Sequence, residues 1–322
     1  MINITFTAFN FGTSGNFVNG PGTSIYNLCR VLKECGQDIN IDIFSQLKPG
    51  SFDKKLFNIR PIDDKQSLAN SINNCDILHH WSGIGRRYGD CIKTSNQLDK
   101  VVFIGPNVID CVNMQSETSF LKDLSFNEVF TINNRLKYLI SKKHSIALSK
   151  VSLLMVGPDQ KVWSPTDNKK HDVLWKGNAS HFVKDVGFGI EVSKRLPEYN
   201  FKFIGYPNPY RYKEHIEDAR SSKLYICTSL SETMGIALME QWSAGVPSVT
   251  HPKIYLHGKN YKTGIITNRD IDSYCDAIKE IFSNKPLYNE LSNGCVSYMK
   301  NNFSDENIYN NYMNIIGKYH VG

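Results

Sequence analysis

Residues 230–250 read LSETMGIALMEQWSAGVPSVT, and this loop, helix and strand set the architecture expected of the whole chain. The run IALMEQWSAG is apolar and helical in character, Gly245-Val246-Pro247 stops it, and PSVTH resumes as a strand. Glu232 and Glu240 are eight positions apart with Gly235 between them. An eight-residue step on an ideal helix returns to within about 80° of the same face, so a carboxylate in the loop and one on the helix can face a common cleft. From spacing alone, two solvated glutamates remain the alternative.

The same alternation extends outward in both directions. Upstream, DVLWKG is a strand, KDVGFGIEVSKRL a helix ending at Pro197, and FKFIGY and KLYICTS are strands. Downstream, DIDSYCDAIKEIF is a helix with Asp270 or Asp272 at its N-terminus. In the first half, INITFTAF is a strand, and the glycine-rich loop NFVNGPGTS opens an amphipathic segment in which Leu28, Val31, Leu32 and Cys35 recur at helical spacing before a C-cap position at Gly36. DINIDIF, DILHHW, VVFIGP, EVFTI and VSLLMVG read as further short strands. Strands alternating with helical lengths predict parallel sheets covered on both faces. Pro158, Pro165 and the polar stretch TDNKKHD mark a linker near residues 165–172. The expected organisation is therefore an N-terminal Rossmann-like domain at 1–166, a second at 167–302, and a C-terminal helix at 303–322 that crosses back to the first.

Composition agrees with this class. The 322 residues are 41% hydrophobic and 21% charged, enough for two cores at roughly 150 residues each. Apolar runs such as VVFIG fall far short of the roughly 20 residues that span a bilayer, and MINITFTAFNFG lacks a basic n-region, so a cytoplasmic protein is expected, with association to a membrane face left open. Eight cysteines with no C-x-x-C pair argue against a zinc site or a disulfide framework. The net charge of +6 suits a phosphate-bearing partner without specifying one.

In an open α/β sheet, ligands bind outside the carboxyl ends of the strands, where helix N-termini offer N–H groups to phosphate. Carboxylates beside a phosphate are costly unless they accept hydroxyl hydrogen bonds, and a sugar nucleotide supplies both hydroxyls and phosphates. At this point the sequence resembles the retaining nucleotide-sugar glycosyltransferases of family 4. Ser229, Glu232, Gly235, Glu240, Gly245 and Pro247, with Ala244 just before the second glycine, resemble that family's S-x-x-E-x-x-G-x-x-x-x-E-A-x-A-x-G-x-P-V-V pattern. GPDQKVWSPT, KTGIITNRDIDSYCDAIKEIF and NGPGTSIYNLCRVL are similar to its linker, its late D-x-x-x-L-A-x-A-I segment and its opening loop and helix.

The resemblance implies the GT-B fold, an α/β fold of two doubly wound Rossmann-like domains facing a central cleft. It also implies metal-independent transfer of a sugar from a nucleotide diphosphate donor, with a UDP-sugar expected as co-substrate and no cofactor. Glu232 binds donor hydroxyls, Met234, Gly235 and Ile236 hold the diphosphate through N–H groups, and Glu240 binds the ribose. Gly20 and Gly22 admit the phosphates, and Asn178, Gly205 and Thr233 complete the donor set. Asn178 stands where the family has an arginine; Lys184 fits its second cation, and Lys176 or His181 stands in for the first. His80 and Asn107 are the candidates for the family's catalytic histidine position. Trp81, Arg86 and Arg87, with Tyr88 beside them, are acceptor-side candidates through stacking and phosphate binding. The acceptors that fit are a glycan or lipid-linked glycan at a membrane face, a small molecule, or a nucleic acid base. Rival readings are a nucleotide-sugar 2-epimerase and an inactive donor-binding scaffold. Asp270-Ile271-Asp272 imitates a D-x-D metal motif but sits where a helix N-cap is expected.

Overall fold

The computed structural model describes residues 1–8, 13–14, 17–18, 20–46, 56–81, 99–106, 125–207, 212–232, 235–254 and 262–320. The chain forms two compact units, Met1–Val156 with Asp305–Gly322, and Gly157–Ser304.

In unit 1, β1 (Ile2–Ala8) is followed by a small hairpin of β2 (Thr13–Ser14) and β3 (Phe17–Val18), then by β4 (Ile39–Ser45), β5 (Ile59–Pro61), β6 (Ile77–Trp81), β7 (Val101–Ile104), β8 (Glu128–Thr131) and β9 (Val151–Leu153). Apart from the hairpin these strands form one sheet in the order β5-β4-β1-β6-β7-β8-β9, each pair parallel. The order reverses between β1 and β6, the doubly wound arrangement. Both faces are covered, and Ile77 to Trp81 are all buried.

The Gly20–Cys35 helix starts earlier than the sequence suggests. Gly20 and Gly22 lie in its first turn and not in an open loop, because Pro21 fits the start of a helix, where its missing N–H is not needed. Against this helix packs the Asp305–Ile316 helix. The join is electrostatic as well as apolar: Arg30, nearly buried, donates to both carboxylate oxygens of Asp305 at 2.6 and 2.9 Å and to Glu34 at 2.6 Å. A two-pronged arginine–carboxylate pair fixes direction as well as distance.

Unit 2 contains β10 (His171–Lys176), β11 (Phe201–Ile204), β12 (Ser222–Ile226), β13 (Ser248–Thr250) and β14 (Gly264–Ile266), in the parallel order β11-β10-β12-β13-β14. This is the shorter doubly wound order, with its reversal between β10 and β12, so the two units share a principle but not a strand count. Val173, Trp175, Leu224, Ile226 and Val249 pack against Val192 of the Val186–Arg195 helix and Tyr274, Ile278 and Ile281 of the Ile271–Ser283 helix. Leu174 and Tyr225 on the opposite face are buried too.

The unit boundary falls earlier than the proline-rich stretch implies. Residues 157–166 belong to unit 2: Trp163 is buried there, and the Gln160 amide donates to the carbonyls of Met299 and Phe303 at 3.1 and 2.6 Å. These contacts anchor to the Lys285–Phe303 helix, whose Gly294 lies so close to the Lys262 backbone that a Cβ would sit 1.9 Å from the Lys262 carbonyl oxygen. No helix among the described residues is long and apolar enough to cross a membrane.

The unit 1 core contains two fully buried histidines. His79 Nε2 faces the Gly105 carbonyl at 2.6 Å and therefore carries the proton, leaving Nδ1 to accept from the Tyr312 hydroxyl at 2.8 Å. Burial pushes both His79 and His80 down to about 3 from 6.5. An unfolded chain takes up these protons below pH 6.5, whereas the folded one refuses them until about 3. The stability they contribute is complete above pH 6.5 and is lost as pH falls toward 3. Each histidine should cost about 2 kcal/mol between pH 7 and pH 5. Urea denaturation across that range checks this, and His80→Asn should flatten the dependence.

Candidate active site

Because β10 and β12 are neighbours at the reversal point, the segments leaving their carboxyl ends are brought together. After β10 the chain runs through Gly177 and Asn178 to a short 3-10 turn, Phe182–Lys184, and then to Asp185. Asp185 adopts φ +44°, an unusual conformation for a residue with a side chain, and caps the following helix by accepting from the Phe188 N–H at 3.2 Å. Its other oxygen pairs with Arg269, whose guanidinium lies 4.7 Å over the Phe188 ring and donates to the Thr228 carbonyl at 3.2 Å. Thr228 fixes the same turn from below. Its hydroxyl accepts from the Trp175 indole at 2.8 Å and lies 2.9 Å from the carbonyl oxygens of Lys184 and Asp185.

Lys184 is thereby aimed across the edge at Glu232. Its Nζ donates to Glu232 Oε1 at 2.5 Å, and the Ser229 hydroxyl donates to the same oxygen at 2.6 Å. The Leu230 N–H donates to the Val183 carbonyl at 2.7 Å, stitching the two segments together, and Glu232 bridges to Ile254 after β13. His251, buried at the end of β13, supports Ser229 from behind by donating from Nε2 to its carbonyl at 2.7 Å. Burial lowers the His251 pKa, which keeps the ring neutral.

Gly235 then caps the Ile236–Ser243 helix at φ +52°, a conformation that favours glycine. It has no side chain to satisfy the first-turn N–H groups, and the positive end of the helix dipole follows Glu232 by four residues. One turn further on, Glu240 is buried and pairs with Lys176, the last residue of β10. Burial pushes Lys176 down and Glu240 up, and their mutual attraction opposes both shifts.

Thus Lys184 meets Glu232 and Lys176 meets Glu240 on one edge of unit 2. Asn178 is on the same loop but exposed, its Oδ1 accepting from Ser180 N and Oγ at 3.1 and 2.7 Å. Gly205 follows β11 with φ +91°. Lys176 does not stand open to replace an arginine, because Glu240 uses its charge; His181 is exposed. Asp270 caps the Ile271–Ser283 helix, accepting from Ser273 N at 2.8 Å.

Two candidates in unit 1 are corrected. His80 has no exposed surface and its Nδ1 bonds the Thr7 hydroxyl at 2.5 Å, so it ties β6 to β1 in the core and does not reach substrate. Trp81 is 1% exposed against His79, leaving no open face for stacking a sugar. Asn107, Arg86, Arg87, Tyr88, Thr233 and Met234 lie outside the described residues. Sequence reasoning missed Thr228, His251 and Arg269. Only the fold shows that the ends of β12, β13 and β14 converge on the Lys184 turn.

Replacing Thr228 by valine keeps its shape but leaves the Trp175 N–H without its acceptor. The expected cost is about 1–3 kcal/mol, read by urea denaturation, with the Lys184 turn loosened.

The model of the family described as glycosyl transferases group 1 matches residues 191–295, which contain both glutamates. No curated protein sequence matches the chain significantly. Among solved structures, HepE of Anabaena in complex with UDP aligns with a TM-score of 0.73 at 10% identity, covering 98% of this chain and 100% of that one. An α-glucosyltransferase in complex with UDP-glucose and DNA containing an abasic site aligns at 0.72 with 12% identity, over 98% and 99% of the two chains. The lipopolysaccharide outer core galactosyltransferase WaaB aligns at 0.65 with 14% identity, over 99% and 100%. At these identities the structural likeness establishes the fold, and the family match is confined to residues 191–295. Residues 191–295 thus match the group 1 glycosyl transferases, and the chain as a whole has the GT-B fold of these glycosyltransferase structures.

Proposed function

We propose that the protein moves a sugar from a UDP-sugar to an acceptor hydroxyl with retention of anomeric configuration. The observation that carries this reading is the Lys184–Glu232 pair at the carboxyl edge of β10 and β12. A cation, a carboxylate and the start of the Ile236–Ser243 helix lie within one short stretch of chain and its partner, which supports this reading. HepE is solved with both UDP and UDP-glucose, which supports uridine as the donor nucleoside.

In this reading Glu232 accepts hydrogen bonds from donor sugar hydroxyls. The N–H groups at Gly235 and Ile236 and the Lys184 ammonium stabilise the diphosphate as the bond to the anomeric carbon breaks and negative charge grows on the leaving oxygen. Such preorganised donors act most strongly on charge that develops in the transition state. The acceptor hydroxyl gives up its proton late, to the departing phosphate oxygen, so no separate base is required. Glu240 accepts from the ribose. Since Asn178 is neutral and Lys176 is buried against Glu240, the partly exposed Lys184 is the one of these three that offers positive charge to the diphosphate.

For the acceptor, the net charge of +6 favours a phosphate-bearing molecule. The galactosyltransferase and DNA-bound relatives supply the two arms worth testing, a lipid-linked glycan and DNA. Transfer to DNA should weaken steeply as salt rises.

The test is thermal shift and slow donor hydrolysis with UDP, GDP and ADP sugars in the presence of EDTA. A shift and hydrolysis confined to UDP-sugars is expected; a response only to another nucleotide would overturn the donor assignment. Lys184→Ala should lower turnover by about 10²–10³-fold with little change in UDP affinity. Glu232→Ala should weaken UDP-sugar binding while leaving free UDP affinity nearly intact, and equal losses for both would contradict its sugar-binding role.

A further inference from the structure

The Lys176–Glu240 pair is the most deeply buried ion pair of unit 2 among the described residues, with side chains 4% and 3% exposed. Lys176 closes a strand whose preceding residues, Val173, Leu174 and Trp175, are all buried and apolar. A lysine in such a run is tolerated only when its charge is paired. Its ammonium lies 4.6 Å from the centroid of the Trp163 ring and bonds Glu240 Oε2, while the Tyr225 hydroxyl donates to its carbonyl at 3.4 Å. Strand end, side chain and head group are therefore all held. Glu240 Oε1 accepts no hydrogen bond from the described residues.

Stability alone gives little reason for this arrangement, because replacing a buried ion pair with well-packed apolar residues is often neutral or stabilising. The pair has a different consequence. Burial alone would drive Glu240 toward its neutral acid; the adjacent ammonium opposes this and fixes one oxygen, leaving the other as an oriented acceptor of hydroxyl hydrogens.

We infer that Lys176 is a positioning residue for nucleotide recognition: through Glu240 Oε2 it holds the carboxylate in one orientation, so that Oε1 takes the ribose hydroxyls of the donor. This rests on the proposed function, in which Glu240 meets the ribose. Lys176 itself touches no ligand, so its contribution is confined to the part of affinity that depends on those hydroxyls.

The test compares binding of UDP and 2′,3′-dideoxy-UDP to the whole protein by calorimetry. Wild type should prefer UDP by about tenfold to a hundredfold, the range for hydrogen bonds to a charged acceptor. Lys176→Met should bring the ratio near one, and Lys176→Arg should restore most of it. A wild-type ratio near one would overturn the ribose role of Glu240 and the inference with it. A large wild-type ratio that survives in Lys176→Met would overturn the inference alone. Should Lys176→Met fail to fold because a carboxylate is stranded in the core, the double variant Lys176→Met/Glu240→Gln, which buries no charge at either position, carries the test, compared with Glu240→Gln, in which the Lys176 ammonium keeps an amide oxygen and the Trp163 ring beside it. Equal UDP affinity in those two is expected; a further loss in the double variant would show Lys176 acting independently of Glu240 and would overturn the inference.

Discussion

In unit 2 the paired strands run parallel, so strand ends and the helix starts that follow them fall on one edge. The rest of the site depends on this constraint. Lys184, Ser229, Glu232, His251 and Arg269 come from four different strand-to-helix or strand-to-strand segments, yet they meet because a parallel sheet gives each segment the same exit. The order reverses between β10 and β12, the place in a doubly wound sheet where ligands bind.

Electrostatics divides this edge into two layers. The Lys184–Glu232 pair is partly exposed, at 29% and 12%, and so lies within reach of a ligand that can compete for either partner. Beneath it the Lys176–Glu240 pair is sealed. The outer pair suits a group that must exchange one partner for another during a reaction, and the inner pair suits a fixed reference point. Thr228 and Arg269 set the outer pair through the backbone of the Lys184 turn, which explains why an aspartate with φ +44° persists there: its carboxylate is used twice, as a helix cap and as the partner of Arg269.

Much of the fold was legible in the sequence because buried strands and amphipathic helices leave periodic signals. INITFTA, DVLWK and KLYI were readable as strands from their apolar, β-branched runs, and Asp270 as a cap from its place before SYCDAI. The Asn134–His144 helix was not, since only Leu136 and Ile140 face the core and eleven residues show too little period. β14 is three residues long, too short for alternation to register. At the site, spacing alone left the glutamates open to a solvated reading, and it was the resemblance to the family pattern that singled out both of them and Lys184. The pairing of Lys176 with Glu240 spans 64 positions and was not legible, because nothing in the spacing shows that the end of β10 faces the helix after β12. His80 and Trp81 misled for the opposite reason. A polar or aromatic residue at a strand end looks the same in sequence whether it points to a ligand or into the core.

The central claim is that the donor is held where Lys184 meets Glu232. The most direct measurement is a crystal structure of the protein soaked with UDP-glucose. The account predicts diphosphate oxygens within hydrogen-bonding distance of Lys184 Nζ and the Ile236 N–H, with glucose hydroxyls on Glu232. A nucleotide seated elsewhere, with the Lys184–Glu232 pair undisturbed and facing solvent, would contradict it.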